Sequence, residues 1–291
     1  MKFSLGISRR TIVIAAAAVA TVISLGLGAN AALNKINNDT REVFRSIGSS
    51  SGEESVTRTI TATSSRVALV IGNGRYPDAR EPLSQPLNDA RALTAALRQD
   101  GFDVDVVEDA NKEDMRRAID RLKAKVHRDS VVMLFYGGYG IQAGRESYMI
   151  PVDAAIWKEG DVRRSGISVE SVLDELKERG ARASLVVLDA SRRNPYERRF
   201  RTYSRGLAPI DAPQNALILS SATPGKVIDE ARGENSILVA ELLRSMDRGG
   251  AGAEQIFTRT RIAVSRNTDG QQVPTVSSSL IEDVRFGSRG G

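Results

Sequence analysis

Residues 184–195 read SLVVLDASRRNP, and the first six of them decide the fold. Leu185, Val186, Val187 and Leu188 form an unbroken apolar run that ends on an acid, Asp189. So short a run without polar alternation suits a strand buried on both faces, as in a parallel sheet covered by helices. Working outward, RVALVIGN (66–73) and VVMLFY (131–136) repeat the pattern, and VDVVED (104–109), SYMIPV (147–152) and ALILSS (216–221) read as further strands. Between them the apolar period changes. A loop holding Pro77, Pro82 and Pro86 leads into NDARALTAALRQDG (88–101), whose Leu93 and Leu97 share a helical face and whose Gly101 stops the helix. Asn111, Glu113 and Asp114 open a second helix to about Val126, with Met115, Ala118, Ile119 and Leu122 on one side. Ser168 caps a third, carrying Val172, Leu173 and Leu176, and ILVAELLRSM (237–246) and AEQIFTRTRIAV (253–264) supply two more. Strands alternating with amphipathic helices define an α/β domain with a mainly parallel sheet, whose functional residues belong beyond the carboxyl ends of the strands.

Composition narrows the chemistry. The 291 residues contain no cysteine, which excludes disulfides, thiolate metal sites and a thiolate nucleophile. A single histidine, His127, leaves little imidazole acid–base chemistry. The net charge of +5 is a modest bias towards acidic partners.

The N-terminus carries an address. Lys2, Arg9 and Arg10 precede the uncharged run TIVIAAAAVATVISLGLG (11–28), a pattern that directs the downstream chain across a membrane. Two readings stand: a signal peptide cleaved near Ala29-Asn30-Ala31, or an uncleaved N-terminal membrane anchor. Both assign residues 1–32 to a leader and put the domain outside the cytoplasm, periplasmic or anchored to the inner membrane. Residues 33–65 are polar and read as a flexible linker, residues 66–286 as the folded domain, and 287–291 as a disordered tail.

Two strand ends stand out: FYGGYG (135–140) and LDASRRNP (188–195). They resemble the two catalytic motifs of caspase-like peptidases (peptidase C14), in particular the bacterial metacaspase, or orthocaspase, branch, where they typically read YxGHG and DxCRNNP. The resemblance extends in order through ALVIGNGRYP (68–77), PLNDAR (86–91), YMIPVDA (148–154), LILSSATPG (217–225) and QQVPTVSSSL (271–280). It implies a caspase-haemoglobinase fold, a sheet of about six strands with helices on both faces, and in the family a His-Cys dyad performs hydrolysis. Here Tyr139 stands at the histidine position and Ser191 at the cysteine position. A serine hydroxyl needs a strong, well-placed base, and a tyrosine phenol, with a reference pKa of about 10, is a neutral donor near pH 7. The expectation is therefore a catalytically inactive pseudopeptidase that binds basic peptides or regulates active relatives. The alternatives are a hydrolase in which Ser191 attacks with the help of another base, and a structural envelope protein whose cleft is vestigial. His127 follows a predicted helix at the amino end of the sheet and reads as a solvated residue. Lys226 serves as a base only if buried.

In Arg- and Lys-specific members of this family, acids at the NDA motif and just before the nucleophile line the primary specificity pocket, and they match Asp89 and Asp189. Two carboxylates would accept a guanidinium through charge-assisted hydrogen bonds. The alternative has Asp89 serving the first helical turn and Asp189 closing a strand end. The pocket reading makes Arg/Lys-containing peptides, or an active caspase-like relative, the expected partners. The segment RRNPYERRFRTYSRG (192–206) reads as a solvated surface loop, or as a site offered to an Arg-specific relative. Its interleaved Arg and aromatics also suit nucleic acid, a partner that the predicted export argues against. No cofactor is expected. Some relatives depend on calcium, but no ligand set maps onto this chain. The GNG at 72–74 mimics a dinucleotide fingerprint, with Pro77 at the third glycine position.

Overall fold

A computed structural model describes residues 65–196, 199, 206–228 and 233–287. The expected leader (1–32), nearly all of the expected linker, most of the arginine-rich segment and residues 288–291 lie outside the described residues. Among the described residues no helix is long and apolar enough to cross a membrane.

The domain is built on a sheet in which β1 (Arg66–Gly72), β2 (Asp103–Glu108), β3 (Val131–Gly137), β7 (Ala183–Asp189), β8 (Ala216–Ser220) and β9 (Thr275–Ser278) lie in the order β2-β1-β3-β7-β8-β9. Every pairing is parallel except β8 with β9, which is antiparallel. Strands β3 and β7 are buried along their whole length. Because side chains alternate across a strand, each central strand feeds two cores. Ala68, Val70, Met133, Phe135, Leu185 and Val187 pack with helices α1 (Gln85–Gln99), α5 (Ile237–Met246) and α6 (Ala253–Asn267). Leu69, Ile71, Leu134, Val186 and Leu188 pack on the other face with α2 (Lys112–Lys125) and α4 (Val169–Glu178).

The helix starts obey local chemistry. Asn111 Oδ1 accepts the Asp114 N–H at 2.8 Å, Ser168 Oγ accepts that of Ser171 at 3.1 Å, and Ser236 Oγ that of Val239 at 3.1 Å. Gly101 adopts φ +80° just past α1, as a left-handed helix stop requires.

Several elements differ from the expectation. Helix α1 begins at Gln85, so Pro86 sits in its first turn, where its missing N–H costs nothing, rather than in the preceding loop. Strand β5 (Glu146–Met149) belongs not to the main sheet but to a second, three-stranded antiparallel one with β4 (Gly140–Ala143) and β6 (Ile167–Ser168). A short helix, α3 (Glu159–Ser165), absent from the expected elements, follows Trp157 and is started by Asp161, which accepts the N–H groups of Trp157 and Lys158. The QQVPTVSSSL segment supplies the edge strand β9. At the far end Gly287, expected in the tail, donates its N–H to Asp100.

The GNG turn owes its glycines to packing. A Cβ at Gly72 would lie 2.5 Å from the Pro86 carbonyl oxygen, and one at Gly74 2.2 Å from that of Leu83. The close approach of α1 to the end of β1 thus accounts for Gly72, and the loop backbone at Leu83, just before α1, accounts for Gly74.

Candidate functional site

Strands β3 and β7 run side by side, with Gly137 in register with Asp189. Beyond them the two segments stay in contact: Gly138 N–H donates to the Asp189 carbonyl at 3.3 Å and Gly140 N–H to that of Ala190 at 2.8 Å. Tyr139 and Ser191 are thereby brought to adjoining loops at the carboxyl edge of the sheet.

Tyr139 is part of an aromatic cluster. It is buried, its ring lies 4.4 Å from that of Tyr76 and edge-on to that of Tyr196, at 6.5 Å between centroids. Its backbone N–H donates to Tyr76 Oη at 3.0 Å, and its carbonyl accepts from Tyr136 Oη at 2.8 Å and from the Ile150 N–H at 3.1 Å. Burial pushes the Tyr76 and Tyr136 phenols well above their ordinary pKa, so both remain neutral donors. Burial first, and the charge of Asp78 second, push Tyr196 up to about 12.

Ser191 is also buried. Its N–H donates to Ser221 Oγ at 3.3 Å and its carbonyl accepts the Ile228 N–H at 2.7 Å, so both of these bonds run through the backbone. Neither His127 nor Lys226 is in place as its base. His127 is exposed in the turn between α2 and β3, held through Ser130 and Asp129. A seven-residue strand separates it from the site, a span of roughly 20 Å. Lys226 is exposed, which corrects the reading that required its burial.

Asp89 and Asp189, far apart in sequence, are brought together. Asp89 lies in α1 and Asp189 ends β7, and both are fully buried. Asp89 Oδ1 accepts from Asn235 Nδ2 at 2.9 Å and from the Ser236 N–H at 3.0 Å. Burial, and then the neighbouring charge of Asp189, raise the Asp89 pKa to about 6. Asp189 Oδ2 accepts from Arg192 Nη2 at 2.8 Å, within an ion pair whose side chains are 0% and 2% exposed. Arg192 Nη1 also reaches Gln85 Oε1 at 3.4 Å. Removing one member of a pair this buried leaves the other charge unsolvated, at a general cost of about 3–5 kcal/mol.

The burial of Arg192 corrects the expectation of a solvated loop. That expectation fails for Tyr196 too, which is fully buried, and for Arg199, which pairs with Asp78 at 3.1 Å and stacks on Trp157 at 4.4 Å. The signal for Arg192 is its position, three residues past an acid that closes a buried strand.

A cavity of about 220 Å³ opens at this edge, with Tyr139, Leu83, Arg80, Arg192 and Arg193 among its lining residues. Arg192 lines it, whereas Asp89 and Asp189 do not. A larger cavity, about 520 Å³ between α2, α4 and the small sheet, contains none of the site residues; Lys123 and Glu175 on its walls already pair with each other. Among the described residues no group of three or more acidic or imidazole side chains gathers to hold a metal ion.

A six-stranded, mostly parallel sheet covered on both faces, with two loops meeting at its carboxyl edge in the places of a dyad, defines a caspase-like α/β domain. The family model of the caspase domain matches residues 65–285, and the chain belongs to that family, peptidase C14. It is 32% identical over 133 residues to the human mucosa-associated lymphoid tissue lymphoma translocation protein 1, and 31% identical over the same length to the mouse homologue. Each match covers 45% of this chain and 16% of the relative.

Proposed function

We propose that this chain is a pseudopeptidase: a caspase-like domain that does not cut and acts instead as a regulatory partner of basic peptides or of active relatives. One observation carries the reading. The position that should hold an imidazole holds Tyr139, built into an aromatic cluster, while neither His127 nor Lys226 supplies Ser191 with a base. A serine without a base is a poor nucleophile near neutral pH. In this reading the leader exports the domain, to the periplasm or to the outer side of the inner membrane.

The full chain, offered fluorogenic peptides ending in Arg or Lys with and without calcium, is expected to give no turnover at high enzyme concentration. It is also expected to leave Ser191 unlabelled by a fluorophosphonate. Turnover that disappears in Ser191→Ala would overturn the reading and make the chain a serine-type hydrolase.

A further inference from the structure

We propose that Arg192 is the resident occupant of a guanidinium pocket formed by Asp89, Asp189 and Gln85, so that the domain fills its own basic-residue site and admits an external guanidinium only when Arg192 leaves. The inference rests on reading the two acids as a recognition pocket and is independent of whether Ser191 reacts.

The geometry is that of a ligand in place. Carboxylate and guanidinium meet at 2.8 Å with both side chains out of water, and Gln85 adds a second contact to the other terminal nitrogen. Gln85 is itself turned by its amide, which donates to the Gly233 and Asn235 carbonyls at 3.4 Å each. The backbone delivers Arg192 to this point. It forms a parallel bridge with Ile228, reinforced by the Ile228 N–H on the Ser191 carbonyl, so the side chain is introduced from a pinned stretch rather than from a free loop.

The pocket's capacity exceeds what Arg192 uses. Asp89 Oδ2 and Asp189 Oδ1 are buried and accept no hydrogen bond from a described residue. Among the described residues two carboxylates lie close to the Arg192 guanidinium, and burial first, then the charge of Asp189, raises the Asp89 pKa. A guanidinium bound here must come with its charge and its planar fork, which selects arginine-like ligands over lysine-like ones. Of Arg192, Asp89 and Asp189 only Arg192 lines the cleft, beside Arg80, Glu81 and Arg193.

The test compares the full chain with Arg192→Ala, probed with methylguanidine and with Nα-acetyl-arginine methylamide by thermal shift and calorimetry. The expected result is no saturable binding to the unaltered chain at millimolar ligand, saturable binding with a raised midpoint in Arg192→Ala, and loss of that binding in Arg192→Ala/Asp189→Asn. Equal binding to the unaltered chain and to Arg192→Ala overturns the proposal, and so does a folded Arg192→Ala that binds neither probe.

Because Arg192→Ala leaves two buried carboxylates without their cation, a second measurement uses the unaltered chain. Phenylglyoxal labelling followed by mass spectrometry should modify the exposed Arg75 at least about tenfold faster than Arg192, given the burial of the latter; equal rates overturn the proposal. Peptide turnover that appears in Arg192→Ala and vanishes on adding Ser191→Ala would support the filled pocket while overturning the pseudopeptidase reading.

Discussion

Asp89 shows how a single residue ties pocket to stability. Its carboxyl is buried against Asp189 and carries a pKa of about 6, above its ordinary value of 3.8. The groups that face it are Asp189, Arg192, Asn235 and the Ser236 N–H, and the last three lower the pKa without cancelling burial. A raised folded-state pKa means that the folded protein holds this proton more tightly than the unfolded chain. The stabilisation it supplies is complete below the unfolded value and is lost as pH rises through about 6. Urea midpoints measured from about pH 4 to about pH 8 should therefore fall more steeply for the unaltered chain than for Asp89→Asn, whose side chain has no proton to lose. Parallel profiles would show that Asp89 does not titrate in this range. At the same scale, the identities of Tyr139 and Ser191 are plain in the sequence, whereas the partner of Asp189 is not. Arg192 looks like one of several arginines in a polar loop, because nothing in a residue's type says whether its side chain turns into the fold or out of it.

At the scale of elements, the strongest signals are those that local physics decides alone. The caps at Asn111, Ser168 and Ser236 are set by side-chain oxygens meeting the first free N–H groups of a helix, a contact within three residues. Asn111→Ala should cost about 1 kcal/mol, within the usual range of roughly 0.5–2 for a lost cap, measured as a shift in unfolding free energy. A change below a few tenths would show that solvent replaces the cap at this helix end. Elements defined by their partners are harder to read. Strand β4 has four residues and β6 two, and each exists as strand only because β5 offers a free edge beside it. Strand β9 is half-exposed, without the long apolar run that marks β3 and β7. The start of α1 is ambiguous in sequence because Pro86 punctuates a chain in the same way before a helix as inside its first turn.

The whole molecule stands on a sheet with a core on each side, and its central strands serve both. Leu134 packs on the α2 and α4 side and Leu185 on the α1, α5 and α6 side. Each Leu→Ala substitution should cost about 2–5 kcal/mol, since neither face is backed by solvent. A cost below about 1 kcal/mol at either position, in chemical unfolding, would mean that its face is not a packed core. The sequence by itself determined the α/β class, the parallel centre of the sheet, the placing of Tyr139 and Ser191 at strand ends and the family resemblance. Periodicity, capping and motif order are properties of neighbouring residues and survive in a string. Only the tertiary structure decided that Asp89 and Asp189 share one buried space and that Arg192 holds Asp189. It also decided that Tyr139 belongs to a cluster with Tyr76 and Tyr196. Asp89 and Asp189 lie a hundred residues apart along the chain. Their meeting depends on the order β1-β3-β7 and the seat of α1, and buried charge takes its meaning from what surrounds it in space.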